Sequence, residues 1–237
     1  MKKILSYSLT VLMAIAFYQL QAQEEQIHFT QENTIIVWDL HGVVLKTDGY
    51  AMACEFWRCN HKCNILWNTF STCVHLARTF GLRKTSFEEI VRACEPVNQH
   101  LATLMRTMSY CQKIIPGTAA IIEELHAARF THAIASNIGI KTFESIKQQN
   151  EQFFNHFSDV TTSDTIDPSG SLIRKPNPQF FALYQQLHNK TGKQIIFIDD
   201  DRSNVQAAQK EGMRSILFKN PKQLRLELQK IKLLSVV

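Results

Sequence analysis

IIFIDDDRSNVQAAQKEGM, Ile195 to Met213, is the stretch whose reading decides the fold. Ile195, Ile196, Phe197 and Ile198 run without interruption into Asp199, Asp200 and Asp201. A short, wholly apolar, β-branched run of this kind reads as a strand buried on both faces. The acids therefore stand at a strand's carboxyl end, and a helix over Asn204–Glu211 follows, stopped by Gly212. The same grammar recurs outward in both directions. Thr34–Trp38 is a β-branched run that ends at Asp39, and Gly42 just after it permits a tight turn. Thr131–Ala135 ends at Ser136-Asn137, Val160–Thr162 reads as a short strand, and Arg214–Phe218 is the last clear one.

Helical patterns fill the intervals. Thr118–Arg129 is amphipathic, with Ala119, Ile122, Leu125 and Ala128 on or near one face. Lys141–Asn150, Pro178–Asn189 and Gln223–Leu234 read as further helices, and Asp167-Pro168-Ser169-Gly170 as a turn. Strands alternating with helices imply right-handed crossovers and a parallel sheet, so the expected architecture is a doubly wound, Rossmann-like α/β core.

One stretch breaks the alternation. From Gly49 to Ile115 apolar residues recur at helical spacing, punctuated by Gly81 and Pro96, until Pro116-Gly117 returns the chain to the core. This pattern predicts an all-α cap over residues 49–115, inserted into a core made of residues 23–48 and 116–237. All six cysteines, Cys54, Cys59, Cys63, Cys73, Cys94 and Cys111, fall in that insertion. Cys59 and Cys63 lie about one helical turn apart, a spacing that rarely meets disulfide geometry. Buried thiols are the first expectation, bridges between facing helices the second, and a zinc site the third.

At the N-terminus, Lys2 and Lys3 precede an apolar stretch from Ile4 to Phe17 and then polar Gln19–Gln23. This is the order of a secretory leader, so residues 1–22 read as a signal peptide and the mature protein as periplasmic or secreted. The alternatives are an uncleaved anchor or an ordinary helix of a cytoplasmic protein. The stretch is short and interrupted by Ser6, Ser8 and Thr10, which argues against a stable membrane span. The 237 residues are 45% hydrophobic and 20% charged, an ordinary globular balance. A net charge of +5 suits an anionic substrate, and no basic-aromatic array points to nucleic acid.

Strand ends in a parallel sheet face one common crevice. Here they would gather Asp39, the Asp199–Asp201 acids, the Ser136 hydroxyl beside Asn137, and a lysine from Arg174-Lys175-Pro176. An acidic nucleophile, a divalent metal and a cation for phosphate are the parts of phosphoryl transfer. Three consecutive acids repel one another without a cation. One of them, Asp201, is expected to face solvent or cap the following helix, with Arg174 and Asn204 as supporting residues.

These motifs, in this order and with the insertion where it stands, resemble the haloacid dehalogenase-like hydrolases, in the subgroup with a helical cap between the first and second motifs. The resemblance covers about Ile35 to Phe218. It implies Asp39 as nucleophile and Ser136, the Asn137 backbone N–H and Lys175 as phosphate-binding groups. It also implies Mg²⁺ held by Asp39, Asp200, its neighbour Asp199 and the main-chain carbonyl of His41. The expected partner is a small phosphorylated substrate, selected by the cap; the oligomeric state is left open. His41 departs from the pattern, because phosphatases of the family carry Asp two residues after the nucleophile. Acid–base help from that position is worth about 10²–10⁴ in rate. An imidazole beside a metal and a lysine is a poor acid, though it can serve as a base. Two other readings follow: a phosphate- and metal-binding protein with weak or no turnover, and a haloacid dehalogenase-type carbon hydrolase.

Overall fold

The first strand, β1, spans Thr34–Trp38, and all five of its residues are buried. This run has no polar face to give to water, which selects an interior place in a sheet covered on both sides. The computed structural model of the chain describes residues 29–51, 54, 111–189 and 192–235. After β1 come β2 (Leu45–Thr47), β3 (Gln112–Ile114), α1 (Pro116–Ala127), β4 (Thr131–Ser136), α2 (Ile140–Gln149) and α3 (Glu151–Phe154). Then follow β5 (Phe157–Thr162), α4 (Pro178–His188), β6 (Gln194–Asp199), α5 (Arg202–Lys210), β7 (Arg214–Leu217) and α6 (Pro221–Lys230).

Five strands form one sheet in the order β5-β4-β1-β6-β7, and every pairing in it is parallel. Side chains of β1 alternate between two cores, as the period of two requires. Ile36 and Trp38 pack with Ile121, Ile122 and Leu125 of α1 and with Leu224 and Leu228 of α6. Ile35 and Val37 face the other way, toward Phe180, Phe181 and Tyr184 of α4 and Ala207 and Ala208 of α5. Helices on both faces make the sheet doubly wound. From β1 the chain moves out to β4 and β5 on one side, then crosses back to β6 and β7 on the other. The direction of winding reverses at β1, so the carboxyl ends of β4, β1 and β6 open a crevice there.

The helix starts are chemically marked. Asn177, Asp201 and Asn220 cap α4, α5 and α6, their side chains accepting from the N–H of Gln179, Ser203 and Gln223. Pro178 and Pro221 occupy first-turn positions, where a missing N–H costs nothing.

Three details differ from the pattern reading. Helix α1 starts at Pro116 and buries Thr118, Ile121, Ile122 and Leu125, while Ala128 is its exposed cap. The large Ile pair sets the face, and alanine carries too little apolar surface to compete. Strand β5 begins at Phe157, earlier than Val160, because Ser158 and Asp159 break the apolar run without breaking the ladder. Residues 112–114, within the stretch read as helical, form β3 and pair antiparallel with β2, Leu45 opposite Ile114 and Thr47 opposite Gln112. Three-residue strands are too short to show a period in sequence. This ribbon ties together the points where residues 49–111 leave and rejoin the core, and Asp48 N–H donates to Cys111 O beside it at 2.7 Å.

The helical cap itself and the signal peptide over residues 1–22 lie outside the described residues. Cys111 is a buried thiol and Cys54 an exposed one; the other four cysteines also fall outside. Among the described residues, no helix is long and apolar enough to cross a membrane.

Candidate active site

Asp39 follows β1 directly, and its N–H still donates to Ile198 O of β6 at 2.8 Å. The sheet ladder therefore holds the residue at the reversal point of the winding. The chain must then turn at once. Gly42 makes that turn with φ at +88°, in the left-handed region that glycine tolerates. A Cβ at Gly42 would overlap the Asp200 carboxylate, so this glycine also leaves room for the acid from the neighbouring strand.

Lys175 binds the crevice together. Its Nζ donates to Asp39 Oδ1 at 2.7 Å, to Asp199 Oδ2 at 2.7 Å and to Ala135 O at 2.8 Å. Its side chain is 1% exposed, so all three ammonium protons are satisfied inside the protein. Asn137 places it. The Asn137 amide donates to Lys175 O at 2.9 Å and accepts from Lys175 N–H at 2.8 Å, clasping the backbone that carries the lysine. The Lys175–Pro176 peptide is cis.

The three acids of β6 and its exit separate by orientation. Asp199 is fully buried. Besides Lys175, its oxygens accept from Asn204 Nδ2 at 3.0 Å each and from Asp201 N–H at 2.8 Å. Asp200 is exposed beside Gly42. Asp201 caps α5, accepting from Ser203 N–H at 2.7 Å, which matches the capping expected of one of the three. Oxygens of Asp39, Asp199 and Asp200 lie within 4.8 Å of one another, a group able to hold a metal ion.

The electrostatics follow from burial. Removal from water raises Asp39 from 3.8 to about 6; Lys175 opposes the rise and the Asp199 charge adds to it. Burial pulls Lys175 down, but Asp39 and Asp199 outweigh it and hold the ammonium above its ordinary value. Asp200 is raised by burial and then by Asp199. His41 stays exposed at the crevice mouth. Lost hydration against the crevice walls and, next, the Lys175 charge hold its imidazole below the usual range.

Ser136 ends β4 and is buried in the same crevice. The structure thus brings Asp39, His41, Ser136, Asn137, Lys175, Asp199 and Asp200 to neighbouring strand ends. Two features escaped sequence reasoning. The Asn137 side chain is engaged with Lys175, where the sequence offered only its backbone N–H. The Ala135 carbonyl is the third acceptor of Lys175, and no side-chain signal could reveal a backbone atom. Asn204, expected as a supporting residue, holds Asp199.

A doubly wound sheet that gathers carboxylates, a hydroxyl and a buried lysine at its winding reversal has the build of a hydrolytic enzyme. The model of the haloacid dehalogenase-like hydrolases matches residues 34–212, and the chain belongs to that family. It is 31% identical over 104 residues to a phosphoglycolate phosphatase of Aliivibrio fischeri, a match covering 43% of this chain and 42% of that protein. It is 35% identical over 74 residues, 31% of this chain, to drimenol cyclase drtB of Aspergillus calidoustus, and spans 14% of that relative. The chain thus spans less than half the length of these curated relatives. The L-2-haloacid dehalogenase of Xanthobacter autotrophicus has a similar structure, with a TM-score of 0.56 at 17% identity over 87% of this chain and 85% of that one. The magnesium-bound HAD-hydrolase YfnB of Bacillus subtilis gives a TM-score of 0.57 at 15% identity, over 83% and 99%. At these identities the likeness shows the fold alone.

Proposed function

We propose that the protein is a magnesium-dependent phosphatase acting on a small phosphorylated substrate through an aspartyl-phosphate at Asp39. The observation that carries this reading is the Asp39–Asp199–Asp200 group closed around buried Lys175. Three carboxylates against one ammonium leave two negative charges, and Asp200 is raised by burial first and by the neighbouring Asp199 charge next. An all-oxygen donor set at a strand-end crevice fits a hard dication such as Mg²⁺. Asp39, Asp200 and the His41 carbonyl would hold it, while Asp199, its oxygens already bonded, contributes charge. Bound there, magnesium would polarise the phosphoryl group and neutralise the crevice.

The chain's own groups divide the remaining work. Asp39 attacks phosphorus in line as the P–O bond to the leaving group breaks, releasing that group as its oxyanion, and water then hydrolyses the aspartyl-phosphate to free Asp39 and inorganic phosphate. Lys175 fixes the attacking carboxylate and acts on the phosphate through its charge, since its three protons are already committed. The Ser136 hydroxyl donates to a phosphate oxygen. His41, neutral, serves as base for the incoming water and gives little help to a basic leaving group. Aryl and acyl phosphates are therefore the favoured substrate class.

Purified protein should release p-nitrophenol from its phosphate only with magnesium, and cleave alkyl phosphates far more slowly. Asp39→Asn should abolish both activities with an unchanged circular dichroism spectrum. Phosphate or vanadate binding without turnover would replace this reading with the binding-protein one. Metal-independent chloride release from 2-chloropropionate would replace it with carbon hydrolysis.

A further inference from the structure

Two connections carry groups of the proposed reaction: Ser136 and Asn137 lead from β4 into α2, and Lys175 lies between β5 and α4. Ser136 and Thr162 are register partners at the carboxyl ends of β4 and β5, so the two connections leave the sheet side by side. Helix α2 begins at Ile140 with Gly139 as its N-cap, which has no side chain to offer, and its first turn holds no acid. The capping group comes instead from the other connection. Ile140 N–H donates to both carboxylate oxygens of Asp164, at 3.1 and 3.2 Å. A Cβ at Gly139 would meet Asp164 Oδ2 at 3.4 Å, so the carboxylate rests directly on the loop backbone.

Asp164 is itself held in place. Thr162, the fully buried last residue of β5, donates its hydroxyl to Asp164 Oδ1. The Thr162 N–H donates to Thr165 Oγ1 at 2.9 Å, and the Thr165 N–H returns to Thr162 O at 3.1 Å, which closes the turn that carries the acid. Beside it, Ser163 Oγ donates to Asn137 O at 3.2 Å. The loop 137–139 is thus fixed at both ends by neighbouring residues: its first carbonyl by Ser163, and the N–H that follows it by Asp164.

We propose that Asp164 is a positioning residue for phosphate binding, acting through the start of α2 on the Ser136 hydroxyl and the Asn137 N–H; the proposal rests on the phosphatase reading of the crevice. Helices α4, α5 and α6 take their caps from the N-cap residue itself. An Asp, Ser or Asn at position 139 would end α2 equally well. A cap delivered from 24 residues away does what a local one cannot: it ties the helix start, and the loop before it, to the exit of the strand beside Ser136. The carboxylate also faces the positive end of the α2 dipole, where an acid is stabilised. Without it, Ile140 N–H is left unpaired and the loop is held at one end only. A hydrogen bond to phosphate weakens steeply as its donor is misaligned. Lys175 keeps its own bonds to Asp39, Asp199 and Ala135, so the attacking group stays in place. Loss of the acid should therefore loosen phosphate binding more than it slows the chemical step.

Steady-state hydrolysis of p-nitrophenyl phosphate in excess Mg²⁺, with inorganic phosphate as inhibitor, tests this on the full chain. Asp164→Ala should raise KM and the phosphate inhibition constant together by about tenfold, with kcat changed less. A purely structural role would lower the active fraction, and so kcat, and leave both constants where they are. Asp164→Asn keeps an oxygen for the Ile140 N–H and should stay within about threefold of wild type on both constants. Thr162→Val removes the hydroxyl that holds Asp164; it should shift both constants the same way and decides alone if Asp164→Ala does not fold. Phosphate inhibition unchanged in the folded variant, or Asp164→Asn as impaired as Asp164→Ala, would overturn the assignment. A wild type that does not hydrolyse the ester sinks the phosphatase reading separately. Calorimetric titration of the same proteins with inorganic phosphate and Mg²⁺ then decides the positioning role by the same tenfold difference, and a wild type that binds no phosphate overturns it too.

Discussion

Asp39→Asn should remove turnover and stabilise the fold in one step. Burial pushes the Asp39 carboxyl up from 3.8 to about 6; Lys175 opposes this and Asp199 adds to it. Keeping the group ionised at pH 8 therefore costs roughly 3 kcal/mol relative to the unfolded chain. Asparagine is uncharged and similar in shape, and its carbonyl can still accept from Lys175, so the variant escapes most of that cost. The pH dependence gives the sharper test. Because the folded value lies above the unfolded one, the native protein takes up the proton first as pH falls through about 6 toward 3.8. Wild type therefore gains on the variant as pH falls, by roughly 1 kcal/mol between pH 8 and pH 5. His132, held neutral with a value near 3, costs stability below pH 6.5 in both proteins and cancels in the difference. Urea unfolding of the two proteins in EDTA at pH 5, 6, 7 and 8, followed by circular dichroism, measures the gap. A gap that stays constant, or widens as pH falls, would refute the reasoning: Asp39 would then be an ordinary carboxylate, indifferent to its burial.

Asn137→Ala removes both clasps on the Lys175 backbone. Steady-state kinetics should show kcat falling by about a hundredfold, the scale of a small misplacement of a reacting group. Gly42→Ala forces a side chain into left-handed backbone and onto Asp200. It should cost about 1–3 kcal/mol in urea unfolding and weaken magnesium binding by calorimetry. His132→Gln keeps an acceptor for Trp38 Nε1, which donates to the His132 ring at 3.1 Å, but cannot titrate. The stability that His132 costs the wild type on going from pH 6.5 to pH 5, about 2 kcal/mol, should be absent from the variant's unfolding curves. His41→Asp restores a proton donor at the crevice mouth and should raise alkyl-phosphate turnover by about tenfold or more.

The centre of the sheet was legible because its strands are buried on both faces. Thr34–Trp38 and Gln194–Ile198 show uninterrupted β-branched runs, and the structure returns them within a residue. The β2–β3 ribbon was not legible, because three residues cannot display a period and the pairing joins positions more than sixty residues apart. Within the site, the residue types and their order were readable, since each stands at the end of a readable strand. Their bonding was not. The Asn137 clasp depends on where the loop after Thr162 delivers Lys175, a tertiary fact that Ser-Asn at a strand end does not contain. The Asp164 cap was invisible for the same reason, as it joins Ile140 to a residue 24 positions further on, in a different connection.

The three consecutive acids show how a repeat of one residue type yields three functions. Strand alternation sends successive side chains to opposite sides. Asp199, the last residue inside the ladder, must point inward, and burial then demands a cation: Lys175 is there at 2.7 Å. Asp200 emerges on the opposite side, where Gly42 has left space, and keeps contact with water. Asp201 is the first residue past the strand and turns back to cap α5. Lys175 is shared between Asp39 and Asp199, so its single charge cannot also neutralise Asp200. Of the carboxylates gathered at the crevice, Asp39 and Asp199 share the ammonium, and Asp200, exposed beside them, does not. The proposed magnesium would bind at that position, with Asp39 and Asp200 on either side of it.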